Sequence, residues 1–273
     1  AGAISGAGSL AKRGGGTLTL GGNNVGYSGD IALFGGVLAL GSANAIGSTG
    51  TISFNGGTLQ FSAANTTDYS ARFSNAVSQA YSLDTNGRNV ALTADLTSVG
   101  GTLTKAGAGT LTVSGANTYT AGSNLNGGSL ALGSANAIGN TGALSFTGGA
   151  LQFSAANTTD YSARFSNDPG QAYSLDTNGQ NVALASNLSS VGGTLTKTGA
   201  GTLTLTGDNS LSGGVTVSAG SLSIGAGGAS GSLAGPLRNN ADLVLNRSGA
   251  LTLAGDISGS GSLTQRGSGT LTL

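Results

Sequence analysis

The sequence predicts an all-β fold of the solenoid type, a parallel β-helix in which short strands of successive coils stack about 4.8 Å apart. One observation behind this prediction is an internal duplication, since residues 37–128 align without a gap with residues 129–220. The other is that short runs alternate aliphatic and hydroxyl residues, which is typical of strands with one buried face. At about 23 residues per coil, the chain would form about 12 coils. A β-sandwich or a propeller is the competing architecture.

A short motif occurs four times along the chain, as GSLAKRGGGTLTL from Gly8, GTLTKAGAGTLTV from Gly101, GTLTKTGAGTLTL from Gly193 and GSLTQRGSGTLTL from Gly261. The first two intervals between copies are nearly equal, and the last interval is clearly shorter. Part of a unit is lost more easily from an open stack than from a closed ring, because each layer of a stack contacts only its neighbours. We therefore expect one continuous solenoid over residues 1–273, with a shortened last unit at 221–273.

The individual strands are predicted to be three to five residues long and to be separated by turns rich in Gly, Asn, Ser and Asp. In Thr110–Val113, for example, the aliphatic side chains share one face and the threonines share the other. A single helical turn is compatible with residues 67–73 and with their copy at 159–165. The leucines that we expect in the core are Leu18, Leu20, Leu103, Leu111, Leu195, Leu203 and Leu271.

The composition argues against several classes of chemistry. The chain has no His and no Cys, so no imidazole or thiolate is present for a catalytic triad or for an ordinary zinc or haem site. All ten acidic residues are Asp, and they balance ten scattered Lys and Arg residues. Nucleic acid is therefore not expected as a partner, because phosphate binding needs a basic patch. We predict no catalytic residue, no cofactor and no metal, and paired aspartates acting on a sugar polymer are the least favoured alternative.

The segment from Gly100 to Gly133 resembles the passenger-associated transport repeat, also called the autotransporter-associated β-strand repeat. The residues that carry the resemblance are Gly101, Leu103, Thr104, Lys105, Gly107, Gly109, Thr110, Leu111, Thr112, Gly115 and Asn117. The resemblance covers the chain as a tandem array and is weakest between Ala219 and Arg247.

The resemblance implies a right-handed parallel β-helix from the secreted passenger of a type V autotransporter. Such a passenger is exported across a Gram-negative outer membrane by a C-terminal translocator β-barrel, so the implied location is extracellular or on the cell surface. Neither a signal peptide nor a barrel segment is recognised in the sequence, and we expect the chain to be a portion of a longer protein. The ends of the solenoid, with unpaired strand edges, are predicted points of association.

One position of the motif holds Lys12, Lys105, Lys197 and Gln265 in its four copies. A regular row of lysines is one form that a binding or catalytic surface can take. The favoured interpretation is structural: each residue ends a strand before a glycine-rich corner, where its polar tip stays in water. The glutamine indicates that polarity matters at this position more than positive charge.

The Thr-x-Thr pairs, similar to those of ice-binding solenoids, return too rarely to predict a continuous ice-binding row.

The tetrapeptide Asp-Thr-Asn-Gly occurs at 84–87 and again at 176–179. Asn-Gly between alternating runs is a strong hairpin signal, and Asp or Asn also caps corners of a solenoid. Calcium is a third interpretation, although calcium needs several oxygen ligands together and the spacing does not match calcium-binding nonapeptide repeats. Turn chemistry is the favoured interpretation.

The side-chain-rich part of the repeat contains two charged groups beside aromatic residues, in the copies Asp68, Tyr69, Arg72 and Asp160, Tyr161, Arg164. An aromatic ring next to a charged pair can hold a sugar by stacking and hydrogen bonding. The favoured interpretation is a small excursion of the chain in which the aromatic rings cover the core and the Asp pairs locally with the Arg. The exposed ion pair of that interpretation would contribute only about 0 to 1 kcal/mol.

We therefore predict a non-enzymatic β-helical stalk or display scaffold of a secreted passenger. The alternative is an adhesin segment that binds glycans of a host or of a neighbouring cell surface through the loops at Tyr69/Arg72 and Tyr161/Arg164.

Overall fold

The computed structural model describes residues 2–273 and divides the chain into two compact units, one ending at Ala143 and the other running Leu144–Leu273. Both units consist of short parallel strands stacked as a β-solenoid, and together they contain about 13 turns. The predicted fold class is confirmed. Whether the array is continuous over the whole chain stays a prediction.

The strands of the first unit are β1 (Leu10–Lys12), β2 (Thr17–Leu20), β3 (Ile31–Leu33), β4 (Val37–Leu40), β5 (Ile52–Phe54), β6 (Thr58–Gln60), β7 (Ala80–Asp84), β8 (Val90–Leu92), β9 (Thr102–Ala106), β10 (Thr110–Val113), β11 (Gly122–Leu125) and β12 (Ser129–Leu132). Within this unit the hydrogen-bonded orders are β1-β3-β5, β2-β4-β6-β7-β9-β11 and β8-β10-β12.

The strands from the unit boundary onward are β13 (Ala143–Phe146), β14 (Ala150–Gln152), β15 (Ala172–Asp176), β16 (Val182–Leu184), β17 (Thr194–Thr198), β18 (Thr202–Leu205), β19 (Asp208–Ser210), β20 (Gly214–Val217), β21 (Ser221–Ile224), β22 (Ser232–Ala234), β23 (Leu237–Asn239), β24 (Asp242–Leu245), β25 (Leu251–Thr252), β26 (Ile257–Ser258), β27 (Ser262–Gln265) and β28 (Leu271–Thr272). Within the second unit the orders are β14-β15-β17-β20-β23-β26, β16-β18-β21-β24-β27, β19-β22 and β25-β28.

The length of a turn follows from the register of neighbouring strands. Thr110 pairs with Ser129 across a short turn, whereas Thr58 pairs with Ser82 across a longer one. The average turn is slightly shorter than the sequence predicts, which explains why more turns fit in the chain than expected. All the strand pairs with a described register are parallel, so the Gly-rich segments between strands act as corners of a coil and not as hairpins.

The interior of each unit is a stack of inward side chains that repeats from turn to turn. In the first unit, Leu18, Leu38, Leu59 and Leu83 occupy successive rungs of one ladder. Such a narrow core is continuous because every turn covers the aliphatic rung of the turn before it. An aromatic cluster of Phe54, Phe73 and Tyr81 adds to this core, with ring centroids 4.9 to 6.1 Å apart.

The predicted single helical turns occur as short 3-10 turns at Ser70–Arg72 and Ser162–Arg164. No α-helix is found in residues 2–273. In that part of the chain, accordingly, no helix has the length and apolar character needed to cross a membrane.

Candidate functional site

The lysines of the repeated motif are buried. Lys105 and Lys197 are 0% exposed and Lys12 is 6% exposed. In the ladder described above, Lys105 occupies the rung between Leu83 and Leu125. The prediction that these lysine tips lie in water is therefore wrong. The reason is the period of the strand, because Lys105 lies two residues after Leu103 and must share its inward face.

Each buried ammonium group is fully hydrogen-bonded by backbone carbonyl groups. Lys105 Nζ donates to the carbonyl oxygens of Ala106 at 2.9 Å, Gly107 at 2.7 Å and Gly127 at 2.9 Å. An ammonium group has three N–H donors, so none is left over. Gly127 belongs to the following turn, so the lysine ties two turns together. The equivalent acceptors are Thr198, Gly199 and Ala219 for Lys197, and Arg13, Gly14 and Gly35 for Lys12.

A glycine completes this corner, which we call the lysine corner. Gly128 has a φ of +60°, and a Cβ placed on it would lie 2.7 Å from Lys105 Nζ. Gly220 beside Lys197 and Gly36 beside Lys12 have the same left-handed backbone and the same close approach. Glycine is required at these positions both because its φ is positive and because the ammonium group leaves no room for a side chain.

Burial changes the acidity of the lysines. It lowers the pKa of Lys105 from 10.5 to about 8, while the nearby Asp84 acts in the opposite direction. The pKa of Lys197 is lowered to about 8 for the same reason, with Asp176 opposing. The carbonyl groups thus solvate the ammonium group less well than water does, and no carboxylate contacts it directly.

Buried asparagines form a second device that links turns. The Asn117 side chain accepts a hydrogen bond from the Leu96 N–H at 2.8 Å and donates to the Ala137 carbonyl at 2.6 Å. Leu96 and Ala137 lie in the turns before and after Asn117, so one amide bridges three turns. Asn24 and Asn209 occupy the equivalent positions and make equivalent contacts. Sequence reasoning placed Asn117 in the motif but missed this role.

In the first of the predicted glycan-binding clusters, the aromatic ring and the guanidinium are engaged in contacts inside the chain. The Tyr69 ring is 5% exposed, and its hydroxyl is hydrogen-bonded to the Asn65 amide at 2.9 Å. Arg72 lies against this ring, with Cζ 5.5 Å from the ring centroid. Its guanidinium donates to the backbone carbonyls of Gly50, Gly47 and Ile46.

Asp68 does not pair with Arg72, contrary to the local ion pair that we expected. One carboxylate oxygen accepts hydrogen bonds from the Ser70 backbone and hydroxyl, and the other accepts them from the Thr93 backbone and hydroxyl. Burial alone would raise the pKa of Asp68, but these hydrogen bonds outweigh it and lower the pKa. The carboxylate therefore ties the 3-10 turn to the next coil.

The second cluster has the same local arrangement. Tyr161 is 7% exposed and Arg164 lies 5.7 Å from its ring centroid. Asp160 accepts hydrogen bonds from Ser162 and from the Ala185 backbone. The aromatic faces that a sugar would stack on are thus mostly covered in both clusters. Glycan binding by Asp68, Tyr69, Arg72, Asp160, Tyr161 and Arg164 stays a prediction.

The Asp-Thr-Asn-Gly segments form corners. Asp84 accepts hydrogen bonds from the Asn86 N–H at 2.8 Å and from the Gln60 amide at 2.7 Å. Asn86 has a φ of +46°, a conformation that Asn tolerates better than most residues. Asp176 makes the equivalent contacts with Asn178 and Gln152. Within residues 2–273, no group of three or more His, Cys, Asp or Glu side chains could hold a metal ion.

The leucines that we expected in the core differ in burial according to the turns around them. Leu103, Leu111, Leu195 and Leu203 are 0% exposed. Leu18, Leu20 and Leu271 are only partly buried, because they lie in the outermost described turns, which have a neighbouring turn on one side only.

Together, the stacked turns, the lysine corners and the buried asparagines define a β-solenoid repeat protein whose repeated motif serves to join one turn to the next. The family model of the passenger-associated-transport-repeat matches residues 10–40, 103–132 and 195–224. Each match contains one complete lysine corner with its glycine. The chain thus carries three passenger-associated transport repeats, which confirms the resemblance seen in the sequence.

The chain is also similar to an autotransporter adhesin, the adhesin BmaC autotransporter of Brucella suis biovar 1 (strain 1330). The two are 35% identical over 170 residues, which is 60% of this chain and 5% of the adhesin. The chain therefore corresponds to a small part of that protein's length. No solved structure matches the chain. The repeats and the adhesin relative support a β-helical segment similar to part of an autotransporter passenger or adhesin.

Proposed function

We propose that the chain is a non-enzymatic stalk or display scaffold within an exported autotransporter passenger, located on the bacterial surface or released from it. The observation that carries this proposal is that the polar side chains of the motif are hydrogen-bonded to the backbone of the chain itself. Lys105 and Asn117 are the most distinctive polar residues of the repeat. Their side chains form hydrogen bonds with backbone groups of their own and adjacent turns. Residues used in this way hold the solenoid together and leave no group over to bind or transform a substrate.

The adhesin relative supports a place in a surface protein, and in that setting a C-terminal translocator barrel would belong to the parent protein. A role in adhesion through the tyrosine loops is less well supported, because the Tyr69 and Tyr161 rings are covered. The scaffold role needs no exposed site on the repeat itself, since a stiff stack of turns can carry another binding surface away from the membrane.

The test is to place this chain between a signal peptide and an autotransporter barrel in a Gram-negative host. We expect antibody labelling of intact cells and resistance of the chain to added protease. The matched variant is Leu111→Asp, which loses about 1.5 to 3 kcal/mol of apolar burial and buries an unpartnered charge. It should become protease-sensitive. A wild-type chain that remains on the periplasmic side would overturn the proposal.

A further inference from the structure

The second unit has a polar groove on its outer surface, which we call the outer groove. It lies on the outward face of β18, β21, β24 and β27 and has a volume of about 450 Å³, within the range of about 300 to 1,000 Å³ that is usual for ligand sites. The outward residues stand in rows across the turns because the strands are in register. One row is Thr202, Ser221, Asp242 and Ser262, the next is Thr204, Ser223, Val244 and Thr264, and Asn246 and Arg266 follow.

Several polar side chains of the outer groove have no partner within the chain. Among residues 2–273, the hydroxyls of Thr202, Thr204 and Thr264, the amide of Asn246 and the guanidinium of Arg266 make no hydrogen bond. Thr202, Thr204 and Asn246 are half-buried and line the groove, whereas Asp242 already accepts a hydrogen bond from the Ser262 hydroxyl at 2.7 Å. The groups without a partner contrast with the lysine corners and the tyrosine loops, where the polar groups are already hydrogen-bonded.

The chemistry of the lining restricts the ligand. Asp242 begins β24 and Arg266 follows the end of β27, so one negative and one positive group stand at opposite ends of the strands. A polyanion would meet a single guanidinium together with a carboxylate, which opposes its binding. The lining contains no aromatic ring on which a base could stack. Hydroxyl and amide groups that both donate and accept hydrogen bonds suit a ligand rich in hydroxyls.

We propose that the outer groove binds a neutral oligosaccharide lying across the turns. Four strands span three inter-turn steps of about 4.8 Å, about 14 Å in all, which suits a short run of sugar rings. Sugar hydroxyls donate to Asp242 and accept from Arg266 at the two sides, and they exchange hydrogen bonds with the threonines between them. This inference rests on the proposed function only in that export would bring the groove into contact with glycans outside the cell.

The test uses the purified full chain and linear neutral tri- to hexasaccharides, with charged oligosaccharides as comparators, measured by titration calorimetry. We expect binding to neutral members of the set. The double variant Thr204→Val, Thr264→Val removes two groove hydroxyls while keeping side-chain volume. Its affinity should fall about tenfold, which corresponds to about 1.4 kcal/mol. The matched control Thr110→Val, Thr112→Val changes the same motif outside the groove and should bind as the wild type does.

Further variants keep the proposal testable if the valines alter folding. Asp242→Asn and Arg266→Gln change exposed side chains, and each should weaken binding while the circular dichroism stays unchanged. The proposal is overturned if no neutral oligosaccharide binds, if charged oligosaccharides bind more tightly, or if the Thr110/Thr112 control loses as much affinity as the groove variant. Surface labelling in the export experiment is independent of these outcomes. Failure of the groove would therefore leave the scaffold function standing, and failure of export would leave the groove measurements intact.

Discussion

The lysine corner makes the sharpest prediction, and Lys105→Met is the change that tests it. Methionine keeps an unbranched side chain of similar length in the ladder but removes the ammonium group. The carbonyls of Ala106, Gly107 and Gly127 would then lose the ammonium donor at once, although the Ala106 carbonyl still accepts a hydrogen bond from the Thr85 N–H at 3.2 Å.

The change in the free energy of unfolding caused by Lys105→Met is a balance of two effects. A buried acceptor without a partner costs at least about 1 kcal/mol, so the carbonyls of Gly107 and Gly127 together cost about 2 kcal/mol. Removing the lysine also removes the cost of burying its charge, which is what the lowered pKa reports. We expect the carbonyl effect to be the larger one, because two acceptors lose their donor together, and a net destabilisation of about 1 kcal/mol should remain.

The assay is urea denaturation at pH 7 combined with native-state hydrogen exchange. Because the corner joins two particular turns, exchange should accelerate most at the amides around Gly107 and Gly128. Lys105→Gln should lose less than Lys105→Met, since an amide still donates. In the fourth copy of the motif, Gln265 holds this position with an exposed side chain whose amide donates to the Gly269 carbonyl.

The control is Arg88→Met, which removes a positive charge from an exposed side chain without a hydrogen-bond partner in the described structure. It should leave the stability within about 0.5 kcal/mol of the wild type. If Lys105→Met is as stable as this control, or more stable than the wild type, the lysine corner does not stabilise the solenoid. Greater stability than the wild type is a known outcome when a buried charge is replaced by an apolar side chain.

Two further predictions concern pH and backbone strain. Because burial lowers the pKa of Lys105 and Lys197 to about 8, the unfolded chain binds more protons than the folded chain between pH 8 and 10.5. Stability in urea should therefore rise with pH across that window, and the Lys105→Met, Lys197→Met double variant should show a flatter profile. Ser78 has a φ of +60°, whereas its counterpart in the second copy is Gly170 at +79°. Ser78→Gly should stabilise the protein by about 0.5 to 1 kcal/mol in thermal unfolding, and Gly170→Ser should have the opposite effect. Equal stability of all three proteins would contradict the strain argument.

The repeat and the strands could be predicted because their signals are local. The alternation in Thr110–Val113 requires one face to be buried in any sheet, and the Asp84–Gly87 segment turns wherever it is placed. The same alternation places Lys105 on the inward face with Leu103, two residues before it. The alternation alone does not show that an ammonium group is tolerated there, because the carbonyl groups that replace water come from the corner and from the following turn.

The sequence by itself determined the duplication, the solenoid class and the family of the repeat, because each depends on the spacing of residues along the chain. Only the tertiary structure decided which polar groups are free. Lys105 is satisfied by a carbonyl of the following turn at Gly127, and Asn117 by groups in the turns on both sides. Tyr69 is covered, while Thr204 remains open in a groove. Whether each of these groups is bonded, covered or open depends on the residues that the neighbouring turns place beside it. Those residues are distant in the sequence, so the local sequence does not reveal them.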